Sequence, residues 1–439
     1  MRSFLLKVLM VTVFCLSLAA CGERESSTET IQTEESASSK EENDGDEAES
    51  ENLGQSEQES ESSESTEQET EIANSTEPEP ETEETVEQKV VLWIESHSLE
   101  AKVAQMFIIT PEALTGVGNV TAAGEQTKTS IENCPVGGLL YFASNLQNRE
   151  QVGEMLRNTT EYYDEIDMPR PFLSVDEEGG RVTRIAENAN FGVPSFPSMS
   201  EIGSTGDVTK ATEIGTTIGS YLKDLGFNMD YAPVADVLSN SENTVIGNRS
   251  FGSDAEMVSQ MVIAESDAMF TEGIIPVIKH FPGHGATESD SHTGYAATGK
   301  TIDELMQCEL IPFKNSIENG IEAIMVGHIS VPNITGDYTP ASLSEYMIST
   351  VLRDNFGFDG IVITDAMNMG AVSNNYSSGS AAVLAIKAGV DIVLMPADFQ
   401  SAYNGVISAV QSGEISEERI NESVNRILKL KYELLYETE

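Results

Sequence analysis

Three of the chain's five histidines fall in one run, KHFPGHGATESDSH over 279–292. Imidazole changes charge near neutrality, so clustered histidines serve either proton transfer or a metal ion. The positive charge of Lys279 opposes a bound cation, and an extracellular setting weakens the zinc reading further. Acid–base chemistry is the better account, with no metal and no cofactor. Inside the run, Asp290 stands two residues before His292, where a carboxylate can orient an imidazole and stabilise its cationic form. A second run, GFDGIVITDAMNMG over 357–370, places Asp365 directly after an apolar stretch. Alone, Asp365 reads as a helix cap. Beside a proton donor it can also act as a nucleophile. A third run, LSVDEEGGRVTR over 173–184, sets Asp176 and two arginines around paired glycines. Alone, that is a salt-bridged loop.

These groups need a scaffold that brings distant segments together. Eight short apolar runs recur along the chain, at 105–110, 138–142, 172–175, 227–231, 274–279, 323–327, 360–364 and 391–395. Apolar character on both faces suits parallel strands covered on both sides. Helical patterns separate them, for instance over 211–225 and 254–271. Eight such units predict an α/β fold, a (β/α)8 barrel, over an open doubly wound sheet. The barrel also predicts function just beyond the strand ends. Asp176, Lys279, His280, His328 and Asp365 all fall there. A last helix over 416–436 carries an apolar stripe of Ile420, Val424, Ile427 and Leu428.

The remainder of the chain reads differently. Arg2 and Lys7 precede a short apolar stretch that ends in Leu18, Ala19, Ala20, Cys21 and Gly22. It is too short for an ordinary membrane span. Small residues before a cysteine resemble a bacterial lipobox, so residues 1–21 are expected to be a lipoprotein signal with Cys21 lipidated. Lipid chains would then hold the protein on the extracellular face of the cytoplasmic membrane. Residues 22–88 are Glu-, Ser- and Thr-rich with almost no large apolar side chains, a composition expected to form a disordered acidic tether. Residues 89–439 are expected to be one catalytic domain, and a monomer. The chain's formal charge is −49, nearly half of it in the tether. That acidity argues against nucleic acid as a partner. Cys134 and Cys308 are expected to be unpaired thiols.

Together the three runs resemble glycoside hydrolase family 3, and within it the β-N-acetylhexosaminidase branch. LEAKVAQM at 99–106, VGGLLYF at 136–142, YAPVAD at 231–236, IGNRSF at 246–251 and PASLS at 340–344 support the resemblance. They follow the family's order across the folded region. The resemblance implies Asp365 as nucleophile and His292 as general acid/base, with Asp290 as its partner. It implies sugar contacts from Asp176, Arg184, Arg249, Lys279 and His280. Arg181, Asp236 and His328 are expected to lie behind these, and His284 to shape the loop. The implied partners are N-acetylglucosamine-containing oligosaccharides or muropeptides. Much of the family uses a glutamate donor, and this chain has the Asp290–His292 arrangement instead. A β-glucosidase, a phosphorolytic enzyme or a sugar-binding lipoprotein would be the competing outcomes.

Overall fold

The computed structural model describes residues 84–287 and 296–436. Cys21, Asp290 and His292 lie outside the described residues. The core strands are β1 (Phe107–Ile109), β2 (Gly138–Leu140), β3 (Phe172–Val175), β4 (Met229–Asp230) and β5 (Ile275–Phe281). A short β6 (Ala296–Ala297) precedes β7 (Ala323–Val326), β8 (Ile329–Ser330), β9 (Ile361–Thr364) and β10 (Val393–Leu394). Eight of them form one parallel sheet in the order β10-β1-β2-β3-β4-β5-β7-β9. A parallel bridge between Ile363 and Ile392 brings its two ends together. Thr364 N–H donates to the Ile392 carbonyl at 3.0 Å across the same seam. The sheet therefore closes as a (β/α)8 barrel. Each core strand lies in one of the eight apolar runs, trimmed or extended by a few residues. All their residues are buried, as strands packed on both faces require.

Helices alternate with the strands and surround them. Several begin with side-chain caps of the types that favour helix starts. Asn148 accepts from Gln151 N–H, Asp254 from Met257, Ser377 from Ser380 and Asp398 from Ser401. Each such cap contributes about 1 kcal/mol. Two features were not expected. The pair β6–β8 adds a small parallel ladder outside the barrel. The tether boundary after Gln88 also falls inside a helix, Val86–Ser96. Thr85 caps that helix, with Gln88 completing a reciprocal box, and Val90 and Trp93 are buried. Composition hid this start because the helix's first turn, with Glu87, Gln88 and Lys89, is polar like the segment before it, and the apolar run begins only at Val90. Cys134 and Cys308 are free thiols.

The helix Val86–Ser96 packs against the last helix, Glu417–Leu434, whose Ile420, Val424, Ile427 and Leu428 are all buried. A buried carboxylate locks this last helix to the barrel. Asp391 accepts from Ser423 Oγ at 2.6 Å and from Val362 N–H at 2.9 Å. Arg353, Arg419 and Arg426 also converge on it. One anion thus satisfies three guanidinium groups and ties β9 and β10 to the chain's last turns.

Acids also lie between the sheet and the helices behind β3 and β4. Asp230 Oδ1 accepts the Glu177 N–H at 2.9 Å. Its Oδ2 and both Glu265 carboxyl oxygens meet no donor among the described residues. Burial pushes Asp230 and Glu265 well above the usual carboxylate range; the neighbouring Glu177 adds to the rise of Asp230, and Asp230 to that of Glu265. The folded state therefore binds these protons more tightly than the unfolded chain. Their contribution to stability is fully present below the unfolded carboxylate pKa, near ~4, and is lost as pH rises through the folded value. Glu265→Gln should leave stability near pH ~4 almost unchanged and raise the melting temperature at pH ~8 by about 2 °C or more. Denaturation of both proteins at the two pH values checks this. An equal shift at both would rule out proton linkage.

Candidate active site

The pocket sits at the C-terminal ends of the barrel strands, where eight stretches of chain meet. Its volume is about 580 Å³, and Asp176, Glu178, Arg181, Arg184, Arg249, Lys279, His280 and Asp365 all line it. Of the ten residues singled out in sequence within the described part, seven line the pocket, and Asp236, His284 and His328 touch a residue that does. The three consecutive carboxylates 176–178 follow β3 directly and turn to different sides. Asp176 and Glu178 face the pocket, while Glu177 faces the helices.

Lys279, on β5, is 2 % exposed. Its Nζ donates to Asp176 Oδ1 at 2.9 Å and pairs with Glu178 Oε1 at 2.7 Å. Arg249 grips Glu178 through both nitrogens, Nε to Oε2 at 2.8 Å and Nη2 to Oε1 at 2.6 Å. Burial alone would raise the Glu178 carboxyl. The Arg249 and Lys279 charges outweigh it and hold Glu178 far below the usual range. Burial likewise opposes the Lys279 charge, and Asp176 and Glu178 overcome it. Arg184 approaches Asp176 at 3.5 Å, and its buried Nε has no partner among the described residues.

Glu177 explains how Arg184 is placed. Its carboxylate accepts the N–H groups of Arg184, Ile185 and Ala186 at 2.6, 2.9 and 2.9 Å. The Tyr221 hydroxyl adds a fourth donor at 2.8 Å. Neither Glu177 nor Glu178 was singled out from the sequence. The signal available was the unbroken acidic triplet after an apolar strand.

His280 follows Lys279, and the peptide bond between them is cis. Its Nδ1 lies 2.7 Å from Asp236 Oδ2. The fully buried Asp236 also accepts the His284 N–H. This single carboxylate organises both histidines of the KHFPGHG run. The run's glycines are needed for close approach. A Cβ on Gly285 would stand 2.0 Å from the Val237 carbonyl oxygen. Gly283 adopts φ 119°, and a Cβ there would meet Glu309 at 2.6 Å.

Asp365 lies at the pocket floor beyond β9. Its N–H donates to the Val326 carbonyl at 2.9 Å, and its Oδ1 accepts the Ala366 N–H at 2.7 Å. No helix starts until Gly370, so the carboxylate is not an N-cap. Burial tends to raise this carboxyl. The charges available on His280 and His328, the Ala366 N–H and Lys279 together pull it below the usual value. His328 is itself fixed, with Nδ1 2.7 Å from Ser342 Oγ and Nε2 3.0 Å from the Ala366 carbonyl oxygen. Among the described residues Asp365 thus has no ion-pair partner, and it shares the pocket with Asp176, Glu178, Arg181, Arg184, Arg249 and Lys279.

The sequence profile described as the glycosyl hydrolase family 3 N-terminal domain matches residues 98–430. β-Hexosaminidase A of Pseudoalteromonas piscicida is 33 % identical over 329 residues, 69 % of this chain and 54 % of that protein. β-Hexosaminidase LpqI of Mycobacterium tuberculosis is 34 % identical over 267 residues, 59 % of this chain and 67 % of that protein. A solved glycoside hydrolase family 3 β-N-acetylglucosaminidase from Paenibacillus sp. superposes with a TM-score of 0.73 at 34 % identity. That likeness covers 78 % of this chain and 64 % of the Paenibacillus chain. The chain spans about half the length of the Pseudoalteromonas relative. The barrel, the pocket at its strand ends and the matched profile agree: the chain belongs to glycosyl hydrolase family 3.

Proposed function

We propose that the protein is a retaining exo-β-N-acetylhexosaminidase that removes terminal N-acetylglucosamine through a glycosyl-aspartate intermediate. The observation that carries this reading is Asp365, ionised on the floor of a pocket of small-ligand size among sugar-binding side chains. The relatives named β-hexosaminidase and β-N-acetylglucosaminidase support the substrate class.

A retaining mechanism needs a nucleophile on one face of the anomeric carbon and a proton donor beside the leaving oxygen. Asp365 attacks as carboxylate and forms the ester. His292, oriented by Asp290, gives its proton to the leaving oxygen and later takes one from water. An unperturbed imidazole near ~6.5 suits both tasks near neutrality. Lys279, His280, Asp176, Arg184 and Arg249 hold the sugar hydroxyls. An imidazole donor also avoids placing two carboxylates face to face, which matters when the substrate carries its own charge. Muropeptides fit that description. Lipidation of Cys21, with the acidic segment as spacer, would set the enzyme on the extracellular membrane face next to the wall.

Asp365→Ala should lower kcat on an aryl β-N-acetylglucosaminide by about 10³-fold or more. Mass spectrometry of wild type quenched during turnover of a 5-fluoro glycoside should find one glycosyl unit on the Asp365 peptide. Retained turnover in the variant would refute the nucleophile. Equal rates on glucoside and N-acetylglucosaminide would refute the hexosaminidase reading. Because Asp365 is protonated only below the usual carboxylate range, the acid limb of kcat/KM that reports it should lie below pH ~4. Cys21→Ser should move the protein out of the membrane fraction, which cell fractionation reads directly.

A further inference from the structure

Charge in the pocket does not balance. Four cations, Arg181, Arg184, Arg249 and Lys279, face three carboxylates, Asp176, Glu178 and Asp365. Lys279 is shared by Asp176 and Glu178, Arg249 is saturated by Glu178, and Arg184 leans on Asp176. Arg181 is different. Among the described residues it meets three carbonyl oxygens and no carboxylate. Its Nη2 donates to Thr244 at 3.1 Å, to Ile246 at 3.3 Å and to Val245 between them. Carbonyl dipoles hold a guanidinium in place without cancelling its charge. Only one nitrogen is engaged, so much of the planar donor fork is left for a ligand.

Position and rigidity point the same way. Arg181 and Thr244 are exposed at the pocket rim, whereas Lys279 and Glu178 are 2 % exposed. The turn that carries Arg181 is pinned by the Gly179–Val182 bridge and by Glu177, which accepts the N–H groups of Arg184, Ile185 and Ala186. A cation fixed in advance binds an anion with little ordering cost. When a terminal sugar occupies the floor, the leaving group extends toward the rim.

We infer that Arg181 is a specificity-determining residue that recognises a carboxylate on the substrate's leaving group. The inference rests on the glycosidase reading above and narrows it to glycosides with anionic leaving groups. The alternative duty of Arg181 is only to clamp the 244–246 segment, and it would affect neutral and charged substrates alike.

The test uses the full chain and two aryl β-N-acetylglucosaminides, 4-carboxyphenyl and its methyl ester. Arg181→Gln should lower kcat/KM on the carboxylate about fivefold and on the ester by less than about twofold. Arg181→Lys should restore part of the difference, because charge survives and the fork does not. In wild type, raising NaCl from about 0.05 to 0.5 M should depress the carboxylate's kcat/KM and spare the ester. This last measurement needs no variant and decides the matter if Arg181→Gln fails to fold. Equal losses on both substrates, an unchanged carboxylate rate, or a salt response common to both overturns the inference. Failure of wild type to cleave either glycoside overturns the glycosidase reading along with it. Cleavage of the ester without preference sinks only the role of Arg181.

Discussion

The ammonium of Lys279 is the point on which the site depends. A buried cation is tolerated only when anions and hydrogen bonds replace the lost water. Asp176 and Glu178 do this from the end of β3, across β4, and Arg249 completes the set from the loop after β4. Such a bridge is possible because barrel curvature turns non-adjacent strand ends toward one another. Removing one member leaves the others uncompensated, a change that costs about 3–5 kcal/mol for buried pairs. The network therefore fixes the spacing of these strand ends. Among the described residues it leaves Asp365 without a direct ion-pair partner.

Two neighbouring glutamates show how strongly this environment acts. Glu178 faces the cations, and its carboxyl is held far down. Glu177 faces away, and burial raises its carboxyl in spite of three backbone donors. The residue type is the same, and the opposite surroundings come only from the side to which each turns just beyond β3. Behind Glu177, Asp230 and Glu265 continue a layer in which the neutral acid is favoured. Charge is concentrated at the mouth of the barrel and suppressed behind β3 and β4, so the layer that supports the pocket's ions there carries little field of its own.

Much of this was legible in the sequence, for identifiable reasons. Strands buried on both faces show as apolar runs, so all eight core strands were visible, with ends displaced by a few residues. Asp176, Lys279, His280 and Asp365 were visible because barrel geometry puts chemistry at strand ends. Glu177 and Glu178 were not, since an acidic triplet does not say which member faces in until the register is known. The start of the helix Val86–Ser96 was hidden because its first turn is polar like the acidic segment before it, and its apolar run begins only at Val90. The seam role of Asp391 was hidden too. Its three arginines come from 353, 419 and 426, and no local pattern links them.

The acidity of the chain and the excess cation in the pocket look contradictory until distance is considered. At physiological salt, exposed charges more than about 8 Å apart are largely screened. The formal −49 therefore sets solubility and keeps the chain away from other polyanions. It has little reach into a concave site whose low-dielectric walls strengthen nearby charges. Within that radius the balance is decided by Lys279, Arg249, Arg184 and Arg181 against three carboxylates. A negative overall charge and a locally cationic pocket are thus separate features at separate length scales. Only the local balance changes along the pocket from Arg181 at the rim to Asp365.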